Sequence, residues 1–203
     1  MILKKLFGTG RETVPIFPLN TVLFPGALLP LKIFEVRYVD MAKECLKAGS
    51  PFGICLIREG EEVGTPAVPE PVGCLARMGE VDVQELGVLK VSVAGTERFR
   101  IVASEVNRQG LIVGEIEQIA AEAAVRDAPG MIDCADFLRK VIAGIGAGRF
   151  AEPFEFEDAS WVSFRLAEIL PLRNDVKQKL LELTDAQLRM GILHRFLRQQ
   201  KLI

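Results

Sequence analysis

Residues Val14 to Leu31 run for eighteen positions without a charge and carry four prolines, Pro15, Pro18, Pro25 and Pro30. By length alone, and following Lys4, Lys5 and Arg11, the segment would suit an export signal or a membrane span. The prolines exclude both. Each breaks the helical hydrogen-bond ladder, and in lipid the freed carbonyls would have no partner. The segment is predicted to be extended chain with turns. Val14 to Leu19 reads as a short strand of the edge type, where a missing amide is tolerated. Phe24-Pro25-Gly26 turns the chain into a second strand, Ala27 to Ile33.

Farther along, Glu35 to Ala48 places Val39, Ala42 and Leu46 on one helical face, with Gly49 suited to a left-handed cap. Phe52 to Ile57 is a continuous apolar run, the pattern of a strand buried on both faces. Glu59 to Pro71 holds three prolines and several acids and is predicted to be a mobile loop. Val72 to Met78 is another strand. From Val88 to Ala103, Leu89, Val91 and Val93 alternate with Lys90 and Ser92, and Phe99 and Ile101 with Arg98 and Arg100. This predicts a hairpin turning at Gly95-Thr96 with positive φ at Gly95. Leu111 to Gln118 follows as the last strand. About six or seven short strands favour a closed or partly closed barrel, which hides sheet edges.

Beyond Ala120 the period becomes helical. Pro129 opens a helix to about Ala147, Asp158 or Ser160 caps one through Leu170, and Asn174 caps one to Leu183. Thr184-Asp185-Ala186-Gln187 reads as a capping box for the last. The expected class is α+β, with a β-barrel subdomain over residues 1–120 and a helical bundle over 121–203.

With 49% apolar and 26% charged residues the chain folds rather than staying disordered. Lys and Arg number 25 against 27 Asp and Glu, and the pI is near 5.6, so no overall charge favours nucleic acid or an anionic membrane. Residues 164–203 hold eight basic and four acidic residues, read as a solvated helical face. Cys45, Cys55, Cys74 and Cys134 lie in apolar stretches without metal-ligand spacing, which predicts buried, reduced thiols in a cytoplasmic protein.

Signs of catalysis are weak. No Gly-Lys pair supports a phosphate loop, and the Gly144, Gly146, Gly148 tract follows a helix rather than a strand. His194 is the single histidine, with no serine in a nucleophile elbow, and is read as a surface or interface residue. Glu80, Asp82 and Gln84 on one strand face, and Asp133 with Asp136 on a helix, are read as solvated carboxylates. Arg98, Arg100 and Arg108, interleaved with Glu97 and Glu105, are read as cross-strand charge pairs. No catalytic residue, metal or cofactor is expected.

Phe17-Pro18-Leu19-Asn20-Thr21-Val22-Leu23-Phe24-Pro25-Gly26, continuing through Leu29-Pro30-Leu31-Lys32-Ile33-Phe34-Glu35 to Arg37-Tyr38, resembles the opening of the Lon protease N-terminal substrate-binding domain. Val72-Gly73-Cys74-Leu75-Ala76-Arg77, the run Val91 to Ile101, Leu166 to Leu172 and Lys177 to Glu182 are similar to later parts of that family in the same order. The resemblance implies a PUA-like pseudobarrel followed by a helical bundle, and recognition of unfolded or exposed hydrophobic polypeptide. It further implies a stand-alone form, since neither the ATPase nor the Ser-Lys peptidase module has a counterpart here, and nor does the zinc-bearing drug-binding module of cereblon.

The expected role is therefore a non-enzymatic module for unfolded or partly unfolded segments, working beside protease or chaperone machinery and away from membranes. Its candidate contact surface is Leu23 and Phe24 with Phe34, Arg37 and Tyr38. The competing role for Leu23 and Phe24 is to plug the barrel end, and for Tyr38 to pack its ring. The alternative function is RNA binding, which PUA-like barrels also serve, although the acidic pI and the single Trp and single Tyr oppose it.

Overall fold

The computed structural model of the chain describes residues 11–83 and 87–203. Seven strands lie before the later helices: β1 Arg11–Leu19, β2 Leu28–Ile33, β3 Phe52–Glu59, β4 Val68–Pro69, β5 Val72–Val83, β6 Leu89–Val106 and β7 Ile112–Gln118. Helix α1, Val36–Ala48, separates β2 from β3 and ends on Gly49 in the left-handed region. Four helices follow: α2 Met131–Ile145, α3 Ala159–Ile169, α4 Asn174–Glu182 and α5 Ala186–Gln199, with a 3₁₀ turn at Ala147–Arg149. The fold is mixed, sheet first and helices after. Gln84, expected beside Glu80 and Asp82, lies outside the described residues.

The sheet closes on itself. β1 pairs with β7, β7 with β6, β6 with β5 and β5 with β3, all antiparallel, and β3 returns to β1 in parallel. This ring corrects the expectation that β1 is an edge strand. Residues Arg11–Ile16 lie beside β7, whereas Ile16–Leu19 lie beside β3. Pro15 therefore sits where only β7 is alongside and Pro18 where only β3 is, so each proline meets a ladder on one side alone. Val14, Ile16, Cys55, Leu75, Phe99, Ile112 and Ile116, drawn from all five ring strands, form a core cluster of their own. The Phe99 ring fits there because Gly53 and Gly73 face it: a Cβ on either would come within 2.6 and 2.8 Å of its Cζ.

Other expectations also change. Val88 to Ala103 is not a hairpin but part of one long strand, β6, paired with β2, β5 and β7. Gly95 is not at positive φ. It is in the strand, where three β6 steps from Gly95 to Arg98 face two β5 steps from Ala76 to Cys74. A Cβ there would stand 2.3 Å from the Phe24 carbonyl oxygen, and Gly95 both donates to the Ala27 carbonyl and accepts from Gly26 N–H. The close approach of two backbones, not a turn, requires the glycine. The expected loop Glu59–Pro71 contains strand β4, which pairs back on β3.

Helix starts shift slightly. Asp158 caps α3 through Ser160 N–H, as expected. Gly130 rather than Pro129 precedes α2, Arg173 rather than Asn174 precedes α4, and Asp185 rather than Thr184 caps α5, accepting from Gln187 and Leu188 N–H. α3 packs against α2, α4 and α5. His194 on α5 lies 3.2 Å from Asp133 on α2.

The largest departure concerns charge. Arg98, expected in a cross-strand charge pair, is buried and pairs instead with Glu122 beyond the sheet, and two of the basic residues near the C-terminus, Arg165 and Arg189, are fully buried rather than on a solvated face. Glu122, just after β7, accepts from Arg98 Nη2 at 2.8 Å and from Arg189 Nη1 and Nη2 at 2.9 and 2.5 Å. Ser160 Oγ adds a fourth bond at 2.8 Å. Arg98 also donates to the Leu181 and Leu183 carbonyls, and Arg189 to Ser163 Oγ. Burial alone would push the Glu122 carboxyl up, but the hydrogen bonds and charges of its partners outweigh it and hold the group below the usual range. Arg165 donates from Nη2 to the Pro25 carbonyl at 2.7 Å and from Nη1 to that of Gly26, fastening the β1–β2 connection to α3. Of the expected strand-face arginines, Arg100 does stand exposed, opposite Glu117 on β7.

Two outcomes test this account. Gly95→Ala is expected to lower stability by about 1–3 kcal/mol through overpacking, read as a fall in the urea midpoint; an unchanged midpoint would mean that the Phe24 and Gly95 backbones are not in contact. Glu122→Gln leaves two buried guanidinium groups without their counter-ion and is expected to cost about 3–5 kcal/mol. Because the Glu122 carboxyl is depressed, its contribution is present above the ordinary carboxylate range and disappears as pH falls through the folded value. Wild type and variant should therefore converge in stability as pH falls below the ordinary carboxylate range.

Candidate functional site

A groove of about 320 Å³ runs beside β2. It is lined by Phe17 and Leu19 of β1, Leu29 to Glu35 of β2 and the turn into α1, Tyr38 of α1, and Thr21, Glu62 and Val63. The local sequence explains the shape. β2 alternates Leu29, Leu31 and Ile33 with Pro30 and Lys32, and with the ring closed by other strands it pairs only with β6 among the described residues. The Glu59–Pro71 excursion is held near by β4 and by a bond from Asn20 N–H to the Glu62 carboxylate.

The five residues expected at the site separate into three groups. Phe34 is 54% exposed at the groove's end, with Val36 and Val63 similarly open. Tyr38 lines the groove but is 3% exposed, its ring stacked on Phe17 at 4.1 Å. Arg37 is pinned rather than free: Nη1 donates to the Gly110 carbonyl at 3.0 Å, Nη2 to Glu35 at 2.9 Å, and the guanidinium lies over the Tyr38 ring at 4.7 Å. Burial raises the Tyr38 hydroxyl pKa, against the opposing pull of Arg37. Leu23 and Phe24 lie in the core, Phe24 fully so and 5.8 Å from the Phe164 ring. They support the turn that Arg165 holds and offer no surface of their own.

The sequence reading did not single out Leu29, Leu31 or Val63 as contact residues, although all three line the groove. Leu29 and Leu31 are half-buried in the structure, and half-burial is what a groove wall shares with a core-facing strand, so a strand assignment alone does not mark them. Val63 carried no signal, being an isolated apolar residue between Glu62 and Gly64 in an acidic, proline-rich stretch.

The groove offers apolar contact with few polar groups, chiefly Lys32, Glu35 and Glu62. No group of three or more His, Cys, Asp or Glu side chains suited to a metal is found among the described residues. The four thiols are buried, and burial pushes Cys74 and Cys134 up to about 12 and Cys45 and Cys55 up as well. At neutral pH they are poor nucleophiles. No helix among the described residues is long and apolar enough to cross a membrane.

This architecture has known counterparts. The Lon N-terminal domain protein from Xanthomonas campestris superposes with a TM-score of 0.75 at 35% identity, over 90% of this chain and 96% of that one. The N-terminal domain of Mycobacterium avium complex Lon protease shares the fold at a TM-score of 0.65 and 18% identity, again over 90% and 96%. A sequence profile for the ATP-dependent protease La (LON) substrate-binding domain matches residues 13–199. With that match spanning the ring, the groove and the helices alike, the chain belongs to the LON substrate-binding domain family.

Proposed function

We propose that this chain is a non-catalytic protein-binding module that takes unfolded or partly unfolded polypeptide through the groove beside β2. The observation carrying the reading is the open apolar lining: Phe34, Val63 and the half-buried Leu29 and Leu31 surround a groove with few charges. Such a surface attracts extended apolar segments by removing their area from water and asks little of their sequence. Family membership supports a protein partner, and the partner machinery we infer is proteolytic or chaperone-like, in the cytoplasm. We read the ring as a PUA-like pseudobarrel and residues 1–120 and 121–203 as two parts of one substrate-binding unit, the second a helical bundle. The RNA alternative has less support: Tyr38 is stacked inside on Phe17 and is not free to stack a base.

The test is binding of a reduced, unfolded model protein to the chain. Affinity is expected on the order of micromolar to millimolar and nearly independent of salt. Phe34→Asp should weaken it by roughly fivefold or more, about 1 kcal/mol, without moving the urea midpoint. Phe24→Asp, by contrast, should unfold the chain, since it buries a charge in the core. Unfolded-protein binding that survives Phe34→Asp would discard the groove. Salt-sensitive binding of single-stranded RNA with none of unfolded protein would overturn the function.

A further inference from the structure

A second cavity, of about 240 Å³, opens where the Pro25–Gly26 turn, the β6 bulge and the start of α3 meet. It shares no lining residue with the groove beside β2. Its size is below the roughly 300–1,000 Å³ of sites for drug-sized ligands, and suits a single side chain.

The wall carries the carboxylates of Glu97, Glu122, Glu155 and Asp158 against one lining arginine, Arg98. The buried arginines do not turn it toward anions. Arg189 directs its donors to Ser163, Ser160, Glu122 and the Leu183 carbonyl, and Arg98 donates to Glu122 and the Leu181 and Leu183 carbonyls. They answer the charge of Glu122 from inside the fold. Asp158 is engaged as the α3 cap, accepting from Ser160 and Val125 N–H. Glu97 and Glu155 stand exposed at the mouth, and neither makes an ion pair among the described residues. Both therefore line the cavity without a counter-ion among the described residues.

Trp161 supplies an aromatic side. Its ring meets Phe156 at 5.2 Å and Phe154 at 6.0 Å. Other rings nearby already hold cations: Phe164 has Arg189 at 3.8 Å and Arg98 at 5.4 Å, and Phe156 has Arg139 at 4.6 Å. Among the described residues no cation lies over Trp161, although an indole attracts cations more strongly than the other aromatic rings.

We propose that this cavity binds a basic side chain, a lysine ammonium or an arginine guanidinium carried by a polypeptide partner. Its charge sits between Glu97 and Glu155 and its methylene stem lies on Trp161. That the carrier is a polypeptide rests on the function proposed above; that the cavity takes a cation does not. The site would add a preference for a basic residue to a groove that otherwise reads only apolar area.

Trp161 is the single tryptophan of the chain, so its emission reports the cavity directly. Blocked five-residue peptides with a central lysine, arginine, norleucine or glutamate are titrated into the full chain at about 50 and about 300 mM salt, with calorimetry as a second readout. The lysine and arginine peptides should give saturable binding that weakens by roughly threefold or more at the higher salt, and the norleucine and glutamate peptides none. The double variant Glu97→Gln, Glu155→Gln should weaken binding by roughly tenfold with its urea midpoint intact, whereas Phe34→Asp should leave it unchanged. Equal binding of the norleucine peptide, or wild-type affinity in the double variant, would overturn the cation site. Butylammonium ion binding as tightly as the lysine peptide would overturn the polypeptide carrier and point to a small free amine. Because the groove test uses a different surface and a different readout, failure here leaves unfolded-protein binding standing, whereas failure of the groove test would leave the cation site standing without its polypeptide carrier.

Discussion

Glu122 is the point at which the two halves of the molecule are tied. It reaches Arg98 on β6, 24 positions earlier, and Arg189 on α5, 67 positions later, and both guanidinium groups are buried. Neither arginine is tolerable there alone, because an unpaired charge removed from water is far costlier than any packing it brings. The network also dictates shape. Arg98 follows the β6 bulge, Arg189 and Ser160 come from helices that must cross at the same carboxylate, and both guanidinium groups lie over the Phe164 ring. A docking of the helices on the barrel that failed to bring these groups together would leave two uncompensated charges in the interior, so the network selects one arrangement over others of similar apolar burial.

What could be read beforehand follows from how local each cause is. Phe52–Ile57 as a buried strand, Gly49 as a helix end and Asp158 as a cap depend on residues within a few positions, and the structure agrees at all three. The hairpin at Gly95 failed because two short strands and one long one share the same alternation; only the Phe24 backbone pressing on Gly95 distinguishes them, and it is about 70 positions away along the chain. The edge assignment of β1 failed for a related reason. Its prolines are each compatible with one neighbour, and the reading did not allow for a strand that changes neighbour at Ile16. Arg98 is expected in a cross-strand charge pair because alternation says which face a residue occupies but not what later covers that face.

The candidate site was partly visible for the same reasons. Of the residues expected there, Phe34 does stand open beside the groove, an aromatic next to the charged start of α1 with no core to enter. Leu23 and Phe24 have the same apolar character, yet Arg165 draws their turn inward by its two carbonyls, an effect that comes from 139 and 140 positions downstream. The acids at the mouth of the Trp161 cavity were legible only as ordinary surface charge, since Glu97 and Glu155 meet nowhere but in the folded molecule.

Ring closure by β1 and β7 joins residues 11–16 to 112–117. During synthesis from the N-terminus, the most apolar, charge-free stretch of the chain therefore emerges long before the strand that completes its ladder. About 100 further residues must leave the ribosome after β1 before it can be enclosed, and pairing over such separations is slow to form because the loop entropy is lost before the contacts are gained. In that interval the nascent chain displays the kind of extended, hydrophobic segment that quality-control proteins collect. A protein whose groove is suited to such segments thus passes, while being made, through a state that resembles its own proposed ligand.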